Sequence, residues 1–83
     1  MNSPALYERV ALTRDFDEQG LKRGDVATVV DFAPHPSGGL QGVVLEVTNA
    51  VGDSIQVVVV TAADIEPLNA DEVLTIRHLV KNA

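Results

Sequence analysis

The chain has no cysteine and no tryptophan. Without cysteine there is neither a disulfide framework nor a thiolate metal site. Small secreted domains usually need such staples, so a cytoplasmic setting is the expectation. Aromatic residues are scarce at 4 %: Tyr7, Phe16 and Phe32. A core built from this chain must therefore be aliphatic. Basic residues are few, six against twelve acidic ones, for a net charge of −6. Such a balance repels phosphate backbones and anionic lipid, and so disfavours nucleic-acid and membrane partners. No apolar run approaches the ~18 residues of a membrane span. The opening "MNSPALYERV" has no basic or apolar region of the kind a signal peptide carries.

What is present is valine. Its branched Cβ suits a pleated sheet better than a helix. At 83 residues the chain is one domain at most, burying about 60–65 % of its unfolded surface. Val10 and Leu12 would share one face of an extended segment and predict a strand around 8–14. The stretch 15–25, "DFDEQGLKRGD", is polar and reads as an arm or long turn in which Gly20 and Gly24 take positive φ. Residues 25–34 form a second strand, apolar on both faces and therefore central or curved. Pro34 and Pro36 end it, because proline donates nothing to a ladder. The segment 35–39, "HPSGG", is a loop. Residues 40–49 form a third strand with Val43, Leu45 and Val47 on one face and Gly42 at a bulge or close approach. Gly52-Asp53 forms the tip of a hairpin. Residues 55–60, with four successive valines, read as a fourth strand buried on both faces.

Thr61 and Asp64 have the spacing of a capping box around one helical turn, after which 64–68 resumes as a short strand. Four strands, a one-turn 3₁₀ helix and a short fifth strand predict an all-β, five-stranded SH3-like barrel over residues 1–68. Residues 69–83 are an appended extension. Asn69 and Glu72 would cap a helix there, but the alternation of Leu74, Ile76, His78 and Val80 favours an extended strand.

Catalytic chemistry finds little foothold. "GLKRGD" has three residues between its glycines where a phosphate loop has four. A strand rather than a helix follows it, so Lys22 and Arg23 read as solvated residues of a turn. The two histidines, His35 and His78, lie far apart and lack the clustered spacing of a metal site. Ser3, Ser37 and Ser54 sit in no nucleophile-elbow context. Asp64 and Glu66 read as surface and capping carboxylates. The chain is therefore expected not to be an enzyme and to need no cofactor or metal.

The residues around the first turn resemble the bacterial family of unknown function DUF4926. Its opening D-x-V-A-L-x-x-D is matched by Val10, Ala11, Leu12 and Asp15. Its G-L-x-x-G-D-x-G-T-V-V is matched by Gly20, Leu21, Gly24, Asp25, Thr28, Val29 and Val30, with Ala27 in place of a glycine. Val44, Glu46, Ile65, Pro67 and Leu68 extend the resemblance over residues 7–68, the family's V-E-F reading Leu45-Glu46-Val47 here. The resemblance implies a small SH3-like β fold and no assigned activity. Members are often encoded beside another small protein, which implies an antitoxin or immunity role.

Two readings follow. The first is a non-enzymatic protein-interaction module, binding a protein partner such as a toxin. Its candidate residues are the acidic arm (Asp15, Asp17, Glu18) and the tail (Ile76, Arg77, His78, Leu79). A strand edge or the tail would also support a homodimer. The second is a nucleic-acid binder like the KOW elements of ribosomal proteins, which the glycine step ahead of Val26 also resembles. Its contacts would be Arg9, Arg14, Lys22 and Arg23. KOW elements are basic and this chain is acidic, which counts against it.

Overall fold

The computed structural model describes residues 4–34 and 41–79. The expected loop at 35–39, with His35, Pro36 and Ser37, lies outside them, as do Ser3, residue 40, Val80 and Lys81. Five strands form one antiparallel sheet: β1 (Arg9–Leu12), β2 (Val26–Ala33), β3 (Gly42–Thr48), β4 (Ser54–Thr61) and β5 (Ile65–Pro67). Two single 3₁₀ turns interrupt them, at Asp17–Gln19 and Ala62–Asp64. The strand order is β4-β3-β2-β1-β5. One 3₁₀ turn carries the chain from the edge strand β4 to the opposite edge, where β5 pairs with β1. The sheet thereby packs its apolar side chains into a single core.

The period-2 pattern places side chains as expected. Val10, Leu12, Ala27, Val29, Val43, Leu45, Val47, Val58, Val60 and Ile65 are buried in one cluster, joined by Leu21 from the arm. Leu45 and Val29 are 0 % exposed and lie opposite each other across β2 and β3. Each such side chain contributes roughly 1.5–3 kcal/mol of transfer free energy. No polar residue is buried among the described residues. The core is aliphatic, with Phe16 and Phe32 packed at its margin.

The register shifts twice, between Val29 and Asp31 in the β2–β3 ladder and between Val47 and Thr48 in the β3–β4 ladder. The first shift bends the central strand. Gly42, expected at a bulge or close approach, is the latter. A Cβ there would lie 2.9 Å from Val59 Cγ1 and 3.2 Å from the Ala33 carbonyl oxygen. The β3–β4 hairpin turns at Gly52, with φ 91°. Asn49 Oδ1 holds the turn by accepting the N–H groups of Val51 (3.0 Å) and Asp53 (2.9 Å).

Two expectations need correction. β4 is not buried on both faces. It is an edge strand: Val58 and Val60 point inward, while Val57 and Val59 are 58 % and 61 % exposed. An apolar run reports affinity for burial, but whether its second face is covered depends on which elements pack there. Over its described residues, 69–79, the tail is neither helix nor sheet strand. Asn69 and Glu72 make one bond of a capping box, the Asn69 N–H donating to Glu72 Oε1, while the Glu72 N–H goes to the Asn69 main-chain carbonyl (3.1 Å) as in a simple turn. No helix follows over residues 72–79, and Val73 and Ile76 stay exposed at 85 % and 93 %.

Candidate functional site

The arm between β1 and β2 is more ordered than a solvated loop. The N–H of Leu12 donates to the Asp25 carbonyl (2.9 Å), and that of Gly24 to the Leu12 carbonyl (2.8 Å), closing its base. Phe16 and Leu21 form an isolated antiparallel bridge. The tip between them is the 3₁₀ turn, ended by Gly20 at φ 71°. Gly24 follows at φ 90° and turns the chain into β2. Both glycines thus take the left-handed conformation that larger residues rarely adopt. Leu21 is 1 % exposed and anchors the arm to the core.

The arm's carboxylates are engaged by the arm's own donors. Asp15 Oδ1 accepts the Arg23 N–H (2.8 Å), Asp25 Oδ2 accepts the Lys22 N–H (2.8 Å), and Lys22 Nζ pairs with Asp17 Oδ1 at 3.2 Å. Of the three acidic candidates, only Glu18 has no such partner among the described residues. Lys22 is accordingly not simply solvated.

The tail returns to this arm. Arg77 reaches Asp25 with both prongs of its guanidinium: Nε donates to Oδ1 at 2.8 Å and Nη2 to Oδ2. Nη2 also donates to the Gly20 carbonyl at 3.0 Å. Two residues on, Leu79 packs against the core cluster. Ile76 and His78 lie exposed on the other side. The four tail candidates therefore divide, with Arg77 and Leu79 turned inward and Ile76 and His78 outward. Burial acts to raise the Asp25 pKa. It is outweighed by the Arg77 hydrogen bond, the Lys22 N–H and the charges of Arg77 and Lys22, leaving the pKa below the usual carboxylate value. Arg77 is raised in turn, first by its hydrogen bond to Asp25.

A second polar cluster joins the arm to the β4–β5 corner. Asp64 Oδ2 accepts both the N–H (3.0 Å) and the hydroxyl (3.1 Å) of Thr61, completing the expected capping box. Arg14 Nε donates to Asp64 Oδ1 at 2.9 Å, and its guanidinium lies 4.0 Å over the Phe16 ring. Burial acts to raise the Asp64 pKa too, but the Thr61 and Arg14 interactions hold it low. Arg14 and Lys22, two of the four candidate nucleic-acid contacts, are thus committed to carboxylates of their own chain. Arg9 and Arg23 form no ion pair among the described residues.

A cavity of about 160 Å³ beside β5 is lined by Glu8, Val10, Ile65 and Glu66 among others. It is smaller than the ~300–1,000 Å³ of a typical small-molecule site. No cluster of three or more potential metal ligands occurs among the described residues. Nor is any described helix long and apolar enough to cross a membrane.

The model for a domain of unknown function, DUF4926, matches residues 6–67. The chain belongs to the DUF4926 family. The match covers all five strands and the arm and ends at Pro67, the last residue of β5. Within the family domain lie Gly20, Asp25 and Asp64; beyond it lie Arg77 and Leu79. No curated protein and no solved structure is significantly similar to the chain.

Reading the sequence alone missed three features. One is the exposed apolar face of β4. The second is Asp25 as the receiver of Arg77, although its place in the Gly24-Asp25 turn was legible. The third is Tyr7, which is 74 % exposed and held at φ 67° with its N–H bonded to the Val29 carbonyl. A positive φ on a non-glycine residue leaves no trace in composition or periodicity.

Proposed function

We propose that this chain is a non-enzymatic protein-interaction module that recruits its partner through the open edge of β4, in a cytoplasmic setting. The observation that carries this reading is that edge. Ser54–Thr61 pairs with β3 on one side only, carries no charge, proline or glycine, and exposes Val57 and Val59. Protein edges of this length are normally blunted by charge, proline or a covering element, because unpaired N–H and C=O groups recruit another strand. The opposite edge, β5, is blunted: it has three residues, among them Glu66 and Pro67. An edge left sticky on one side only is suited to strand addition, in which main-chain bonds supply affinity and alternate side chains supply specificity. An antitoxin or immunity role, with a neighbouring gene's product as partner, is the biological form this reading takes. The commitment of Arg14 and Lys22 to carboxylates counts against the nucleic-acid alternative.

The test is co-expression with the protein encoded beside this one, followed by co-purification. The wild-type chain is expected to retain that partner and the Val57→Lys, Val59→Lys double variant to lose it. Equal retention by both, or by neither, overturns the role of β4. Micromolar binding to duplex DNA or RNA that weakens steeply with salt would replace this reading with nucleic-acid recognition.

A further inference from the structure

We infer that the arm carries a peptide-binding site, formed by the Asp25 carboxylate, the Gly20 carbonyl and the edge of the apolar cluster beneath Leu79. Its ligand is a segment with an arginine followed, two residues on, by an aliphatic side chain, and the chain's own tail holds the site closed in cis.

The chemistry of the ligand is read from the group now seated there. A guanidinium offers coplanar N–H groups in a rigid fork that matches a carboxylate bidentately, and lysine cannot reproduce this. Asp25 receives both prongs, and the Gly20 carbonyl takes a further N–H of Nη2. Gly20 directs that carbonyl by ending the 3₁₀ turn in the left-handed conformation. Asp25 is oriented before any ligand arrives, because its Oδ2 also accepts the Lys22 N–H. Asp15 adds its negative field at Arg77. The alternation in the tail, Arg77 and Leu79 inward against Ile76 and His78 outward, has the two-residue period of extended backbone. The site therefore reads two side chains of an extended segment, one by charge and one by burial.

Two observations mark the tail as an exchangeable occupant rather than part of the domain. The receiving groups lie within the family match at residues 6–67, while Arg77 and Leu79 lie beyond it. Between β5 and Arg77 the tail offers little to hold it: Val73, Leu74 and Ile76 are 85 %, 53 % and 93 % exposed. A tether of this length presents its segment at an effective concentration on the order of millimolar. The tail thus closes the site at rest yet yields to a tighter segment of the same chemistry. This inference uses the arm and the tail and not β4, so it stands or fails separately from the strand-addition reading.

The test uses the full chain and a labelled synthetic peptide of residues 72–79, EVLTIRHL. In fluorescence anisotropy the peptide is expected to bind the Arg77→Ala chain at least ~10-fold more tightly than the wild type, whose own tail competes. Adding Asp25→Asn to Arg77→Ala should abolish binding, as should replacing the peptide's arginine with alanine. No binding to Arg77→Ala, equal binding to both chains, or binding indifferent to Asp25→Asn overturns the site. Should Arg77→Ala not fold, the wild-type chain with excess peptide decides the matter by NMR. Amide shifts across Gly20–Asp25 and in the displaced tail support the site, and unmoved spectra overturn it.

Discussion

Arg77 and Asp25, fifty-two positions apart, meet as a bidentate ion pair that ties the end of the described chain to the turn opening β2. The side chains are 37 % and 19 % exposed, so the pair sits at the surface but not fully in solvent. Charge-assisted hydrogen bonds contribute ~1.5–3 kcal/mol when well enclosed and exposed ion pairs much less. Arg77→Ala is accordingly expected to cost about 0.5–1.5 kcal/mol in denaturant unfolding. It should also lower the backbone NMR order parameters of residues 72–79 while leaving those of the sheet unchanged. Arg77→Lys should restore little, because an ammonium lacks the fork. Unchanged order parameters in the Arg77→Ala tail would show that Leu79 alone holds the segment.

Acid should destabilise the fold in a defined window. Asp25 and Asp64 both have pKa values lowered in the folded chain, against ~3.9 for an unfolded aspartate. A carboxylate of depressed pKa stabilises the fold above the unfolded value, and that contribution is lost as pH falls through the folded value. As pH falls below about 4 the unfolded chain binds more protons, so stability should fall on acidification. Urea midpoints measured from pH 6 to pH 2 check this. Asp25→Asn and Asp64→Asn should each flatten the profile. A midpoint that rises toward acid would contradict the assignment.

Gly42→Ala should destabilise by about 1–3 kcal/mol, the usual cost of overpacking. The new methyl would meet Val59 Cγ1 at 2.9 Å and the Ala33 carbonyl oxygen at 3.2 Å. Valine is stiff at χ1 and the carbonyl is held by the ladder, so neither yields freely. The companion Gly42→Ala, Val59→Ala should recover much of the loss by removing the nearer obstacle. Urea titration of both variants measures the recovery, and none at all would place the strain at Ala33.

Two aliphatic truncations should separate the faces of the sheet. Leu45→Ala, at 0 % exposure, is expected to cost ~2–5 kcal/mol and to approach the whole stability of so small a domain. Val57→Ala, at 58 % exposure on the β4 edge, should change stability by only ~0.5 kcal/mol. Thermal or urea unfolding compares them directly. A large loss at Val57 would mean that its face is covered in solution.

Much of the architecture was legible because it rests on local rules. Alternating apolar residues marked the strands, Gly20, Gly24 and Gly52 marked the turns, and Thr61 with Asp64 marked the 3₁₀ corner. The candidate site was legible only in part. Arg77 was singled out as a tail contact and Asp15 and Asp17 as part of an acidic arm, whereas Asp25, which Arg77 meets, was read as part of the turn, and nothing in the spacing joined the two.

The sequence by itself determined which side chains would seek burial and where the backbone would turn, since periodicity and φ preference act over a few residues. It determined an aliphatic, all-β domain and the one-turn corner. Only the tertiary structure decided that β4 is an edge, that its outward valines stay exposed, and that Arg77 reaches Asp25 and Gly20. Those outcomes depend on which elements lie beside one another once the sheet has formed. An apolar run or a charged residue carries no record of its neighbours until the chain closes on itself.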